Sequence, residues 1–328
     1  MNRKIWKALG IAVCMLALAA PYAMAETNTH MVTADTDFAK VVKNINASGV
    51  DDENVIELCA DITLTGNHTL KRSTTIKSKD EDRKISINGS NAGITVTGEG
   101  TVLNLGANGY DGTLTIDGKT SGGFVSVLEG ATANMYENVT LQNRKSTGNA
   151  CIVIMGSKSV FNMYGGVIKK CSRAVMADSG TTFNMSGGEI RNCVSMNDGV
   201  GLYADNSTIN ITGGTISGCT AVIGHGVGLY ANNSTINITG GIISGCEGRW
   251  GGGLYATNSS TITISDGTIS GCSAGEGGGL YAKNSSAITI KGGTISKCTA
   301  PADNGGGLYA DHSTVTISGG TISGCEGV

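Results

Sequence analysis

Residues 228–246 read GLYANNSTINITGGIISGC, and the reading of these 19 residues decides the fold. Ile236 and Ile238 alternate with Thr235, Asn237 and Thr239, the period of two that marks a half-buried strand. Leu229 and Ala231 alternate with Tyr230 and Asn232 in an earlier run, and Ile243 sits in a third run that follows the pair Gly240-Gly241. Runs this short, rich in Ile and Thr and punctuated by glycine, read as strands. The unit occurs five times, at 201–219, 228–246, 253–272, 279–298 and 307–325, and degenerate copies lie at 152–171 and 174–193.

Each unit has three strands with an apolar inner side. Those sides are buried together only if the chain closes into a three-walled coil and the next coil stacks on it. The expected architecture is therefore all-β, a right-handed parallel β-helix with three strands per coil. Ile209, Ile236, Ile262, Ile288 and Val315 form one inward column, and Leu202, Leu229, Leu254, Leu280 and Leu308 another. A one-residue slip would turn every apolar residue of a strand outward, so this pattern fixes the register.

Working outward, residues 1–25 read as a secretory signal: Arg3, Lys4 and Lys7, an apolar run from Ala8 to Ala20, then Ala23-Met24-Ala25. Residues 26–52 form a capping segment, in which Phe38, Val41, Val42 and Ile45 share one helix face behind the capping candidates Asp35 and Thr36. The β-helix takes 53–328, and its last coil stops after a third strand without a cap. Either the natural chain is longer or that open end docks on a partner, and the isolated chain is expected to self-associate through it. No further apolar segment is long enough to cross a membrane. Removing the three signal cations from 23 leaves 20 Lys plus Arg against 26 Asp plus Glu, about minus six, which argues against nucleic acid as a partner. The 51 glycines against two prolines recur at fixed places in the array, so they punctuate it and do not signal disorder.

The motifs GGGLYA and ITGGTISGC resemble the repeats of bacterial right-handed β-helix surface proteins, including the polymorphic outer membrane protein and adhesin-like groups, within the pectate-lyase-like superfamily. The resemblance covers 120–328 closely and 50–120 loosely. It implies an exported protein, secreted or at the cell surface, that acts as a non-enzymatic scaffold and binds glycan or a host or neighbour-cell protein. It also leaves a polysaccharide lyase or glycoside hydrolase open, because enzymes of both kinds use the same fold. Gly224-His225-Gly226 matches a motif of the hydrolases by letters. No strand wall is expected to offer the paired carboxylates that glycoside chemistry needs, so the reading leans away from an enzyme.

Two candidate ligand sites follow, each beside a bland reading. The loops between each cysteine and the next Gly-Leu-Tyr carry Asp198, His225, Glu247, Arg249, Trp250, Glu276 and Asp303 on one edge of the solenoid, where Trp250 could stack on a sugar or be a stray aromatic. Tyr203, Tyr230, Tyr255, Tyr281 and Tyr309 form an outward column that could bind a ligand or simply stabilise a sheet. On the second wall Thr208, Thr235, Thr261 and Thr314 form one column with Thr263, Thr289 and Thr316 beside it, an array that Asn210, Asn237, Ala287 and Lys291 interrupt. Cys171, Cys193, Cys219, Cys246, Cys272, Cys298 and Cys325 share one place in the coil, as a ladder of thiols or a set of bridges. Their spacing is not that of a zinc site, and neither a metal nor a cofactor is expected.

Overall fold

A ladder of aliphatic side chains runs the length of the chain, and parallel strands close around it. The structure, a computed structural model, describes residues 27–327 apart from 108, 110–111, 119–122, 145–149 and 302–304. The expected signal segment lies outside the described residues. The remainder is an all-β parallel solenoid of about 11 turns. Its first wall is a ten-stranded sheet from Asn67–Leu70 to Leu308–Asp311. The second and third walls merge into one 21-stranded sheet, because Thr235–Ser244 and Thr261–Ser270 each run unbroken through the corner between them.

The inward columns are as the pattern requires. Ile209, Ile236, Ile262 and Ile288 are at most 1% exposed and pair in register, and Val315 continues the column but is only partly buried in the open last coil. At the corner the second glycine of each pair turns with positive φ, 80° at Gly241, a conformation that a β-carbon disfavours.

The N-terminal segment contains more than the expected helix. The strand β1, Thr27–Val32, pairs in parallel with Glu53–Leu58 and covers the second wall of the first coil. Its sequence, TNTHMV, carries one buried residue, Val32, so alternation could not reveal it. The helix α1, Phe38–Asn46, buries Phe38, Val41, Val42 and Ile45 and packs on Asn67–Leu70, with Phe38 edge-on to His68 at 5.0 Å. Its cap is Asp37, whose carboxylate accepts from the Lys40 N–H at 3.2 Å, and not Asp35 or Thr36. The Thr36 hydroxyl accepts from the Thr33 N–H instead.

The asparagines of the second wall are a structure in themselves. Each Nδ2 donates to the Oδ1 one coil back, at 2.8 to 2.9 Å, through Asn237, Asn210, Asn184, Asn162, Asn134 and Asn104. The two asparagines read as interruptions of a threonine array, Asn210 and Asn237, are thus the end of an amide ladder.

The cysteine column is mostly reduced. Cys193, Cys219, Cys246, Cys272 and Cys298 are buried free thiols, while Cys171 is bridged to Cys151. Cys151 stands where later coils have the glycine directly before Leu-Tyr, since Ile152 pairs with Val175 and Val175 with Leu202. A β-carbon at Gly253, Gly279 or Gly307 would lie 3.2 to 3.4 Å from the sulfur of Cys272, Cys298 or Cys325. That slot faces the ladder, and the coil that fills it with cysteine is the one with a disulfide.

Candidate functional site

From Cys193 onward, the loop after each ladder cysteine is not irregular. Val194–Ser195, Thr220–Ala221, Glu247–Trp250, Ser273–Glu276, Thr299–Ala300 and Glu326–Gly327 form a parallel ribbon of six short strands, a fourth strand per coil that alternation over two to four residues could not reveal. A glycine of positive φ returns each well-formed loop to the first wall, at Gly199, Gly226, Gly251 and Gly277. At Gly251 a β-carbon would sit 2.4 Å from the Leu254 carbonyl oxygen, so the turn accepts no other residue without distortion.

The residue before that glycine is aimed back over the tyrosine wall. Trp250 pairs in register with Glu276 and bridges to His225, while the Gly199 N–H donates to the His225 carbonyl. Asp198, His225, Trp250 and Glu276 therefore form one column, one residue per coil. The sequence placed all four on the loop edge, and aligning the loops on these glycines would have put them in one column; Asp303, named with them, lies outside the described residues.

Below this column the tyrosines stack as expected, with ring centroids 5.1, 5.4, 5.2 and 5.1 Å apart from Tyr203 through Tyr230, Tyr255 and Tyr281 to Tyr309. The two candidate sites are not alternatives. His225 stacks 4.5 Å from Trp250 and 5.4 Å from Tyr255, and Trp250 lies 6.0 Å from Tyr281, making a two-layer aromatic plate. This corrects the expectation of an open tyrosine wall, because Tyr255 and Tyr281 are only 5% and 2% exposed. Burial, followed by nearby carboxylates at Tyr281, pushes both phenols above their ordinary pKa.

Charged groups decorate the plate. The Arg249 guanidinium and the Lys283 ammonium each lie 4.9 Å from the Trp250 ring centroid, and Arg173 lies 4.5 Å from that of Tyr203. The Glu276 carboxylate lies close enough to Tyr281 to help hold its phenol above the ordinary pKa, after burial. Glu247, three residues along the ribbon from Trp250, pairs with Thr220 and Ser273 and is exposed. It is not part of the plate.

His225 is held as a packing element. Its Nδ1 lies 2.8 Å from the Asp198 carboxylate, which also accepts the His225 backbone N–H at 2.7 Å, and its Nε2 is buried with no hydrogen-bond partner among the described residues. Burial alone would push the Asp198 carboxyl up, but the hydrogen bonds and charge of His225 outweigh it and hold the group below its ordinary pKa. The letters Gly-His-Gly thus mark a stacked, tethered ring with neither nitrogen presented to a substrate. One expectation is overturned in the other direction. Asp178 and Asp205 are register partners on adjacent strands of the first wall, so a wall does offer neighbouring carboxylates.

Among the described residues no group of His, Cys, Asp and Glu could hold a metal ion, and no helix is long and apolar enough to cross a membrane. Residues 228–328 match the family model described as a right handed beta helix region. The match spans the last third of the chain, and together with the parallel solenoid it supports a right-handed β-helix repeat architecture. No curated protein and no solved structure matches it.

Proposed function

We propose that this chain is an exported, adhesin-like binding scaffold without catalytic activity, and that the aromatic plate over coils 201 to 309 holds a glycan. The observation that carries the reading is the column before the returning glycines. There, hydrogen-bonding heads from Arg249, Lys283 and Glu276 surround one indole on a rigid base. A polyol needs such an array of charged donors and acceptors beside an apolar ring face, and a scaffold fixed by ladders loses little entropy on binding. The test is a glycan array probed with the mature chain, followed by calorimetry with the Arg249→Ala/Lys283→Ala variant. A loss of about tenfold or more in affinity is expected. Unchanged affinity, or no glycan bound at all, refutes the reading.

The register of Asp178 with Asp205 favours a second reading, glycoside hydrolysis. Adjacent strands lie about 4.8 Å apart, near the carboxyl separation of retaining glycosidases. Release of reducing ends from a polysaccharide, abolished by Asp178→Asn, would establish it in place of the first.

A further inference from the structure

N-terminal to the plate, the loop ribbon and the first wall enclose a cleft of about 540 Å³ that the glycan-binding reading leaves unused and that holds the carboxylate pair of the second reading. Its character differs from that of the plate. Asp178 and Asp205 stand together on the first wall, Asp198 faces them from the ribbon side, Tyr203 contributes an aromatic surface, and Met196 and Ile223 form the rim. The rim side chains are large, apolar and open to solvent, Met196 at 62% and Ile223 at 59%. Val194 and Val222, each next but one or next to a rim residue in sequence, extend this aliphatic ridge at 59% and 67%. Four such side chains on one short ribbon are an apolar surface that the fold does not cover.

The charge of the cleft is not neutralised from within. Three carboxylates line it against one guanidinium, a net of two negative charges. That guanidinium, on Arg173, is committed elsewhere: Nε and Nη2 donate to the backbone carbonyl of Asp198 at 3.2 and 2.8 Å, and its plane lies over Tyr203. The Asp205 carboxylate accepts amide protons from Asn206 and Asn232, both at 2.8 Å, and that of Asp178 accepts from the Ser179 hydroxyl at 3.0 Å. Among the described residues neither has a cationic partner.

We propose that this cleft and its ridge form a docking groove for a partner protein, taking an extended segment in which Lys or Arg alternates with aliphatic residues. The two wall carboxylates receive the cationic head, and Met196 and Ile223 cover the aliphatic side chains. Charge complementarity sets the sign of the ligand, and the ridge sets its class. A peptide has side chains that exclude water from Ile223, whereas an amino sugar would satisfy the carboxylates and leave the ridge wet. The alternation of a strand suits the ribbon beside it, whose residues also point alternately to two sides.

The test is fluorescence anisotropy of the mature chain with two labelled synthetic peptides, one alternating Lys and Leu and one alternating Glu and Leu, and competition by glucosamine oligomers. The Lys–Leu peptide is expected to bind and the Glu–Leu peptide not. Affinity should fall about tenfold or more in Asp178→Asn/Asp205→Asn and again in Ile223→Ser, stay unchanged in Lys291→Ala on the second wall, and weaken with added salt. Asparagine at 205 still accepts from Asn232, and circular dichroism of each variant verifies the fold. Equal binding of both peptides, full affinity in the double asparagine variant, or displacement by glucosamine oligomers at concentrations below those needed of unlabelled peptide would overturn the proposal.

Discussion

Trp250→Ala is expected to destabilise the solenoid locally, although a sequence reading of Trp250 as a stray aromatic or a free sugar platform implies no such cost. The indole roofs Tyr255 and Tyr281 and contacts three rings and two cations. Each ring pair contributes about 0.5 to 1.5 kcal/mol beyond its area, and each exposed cation about 0.5 kcal/mol. Because Trp250 itself is half-buried, the lower ends apply, and the loss is about 2 to 3 kcal/mol. A tyrosinate titration followed by ultraviolet absorbance supplies a second readout. Burial raises the Tyr255 and Tyr281 phenols, so the protonated form stabilises the fold below the unfolded-state pKa near 10, and that contribution is lost as the pH rises through the folded-state value. Removing the roof should bring both titrations back toward the ordinary range, while Trp250→Phe keeps most of the shift. A variant that denatures within about 0.5 kcal/mol of the parent, with its tyrosines titrating as before, would refute the two-layer plate.

Three further outcomes follow from the ladders and the last coil. Asn184→Ala severs two amide bonds and Asn237→Ala one, so chemical denaturation should show losses of about 2 and about 1 kcal/mol, and equal losses would mean that the ladder adds nothing. Gly307→Cys should form a disulfide with Cys325, because its β-carbon falls 3.2 Å from that sulfur and meets no backbone atom closer than 3 Å; closing the loop stabilises by about 3 kcal/mol. The same change at Gly279 drives a β-carbon to 2.4 Å from the Gly307 carbonyl oxygen and should destabilise, and mass spectrometry with non-reducing melts separates the two cases. Expressed as the piece 26–328, the protein presents Ile317 and Ile322 of the last described coil at 54% and 43% exposure, so sedimentation of that piece should reveal self-association that Ile317→Lys weakens; a monomer at all concentrations would count against it.

The difference between what the sequence revealed and what it withheld has a physical cause. Ile236 or Leu229 must face inward, and each error of register would expose a column of such residues, so the three walls and the aliphatic core are legible from alternation alone. The strand β1 and the loop ribbon are held by backbone hydrogen bonds to neighbouring coils, as when the Glu247 N–H donates to the Cys219 carbonyl, and almost any side chain satisfies that requirement. They leave no periodic trace. The column before the returning glycines follows the same rule at the site itself. The turn at Gly251 dictates that something must lie over Tyr255, but the fold accepts a carboxylate at 198, an imidazole at 225, an indole at 250 and a second carboxylate at 276. The repeat therefore fixes where the chain presents its chemistry and leaves open which chemistry it presents. For that reason Trp250 and the tyrosines could be named from the sequence as candidates, while their union into one plate, and the part played by Asp198 in tethering His225, required the coordinates of neighbouring coils.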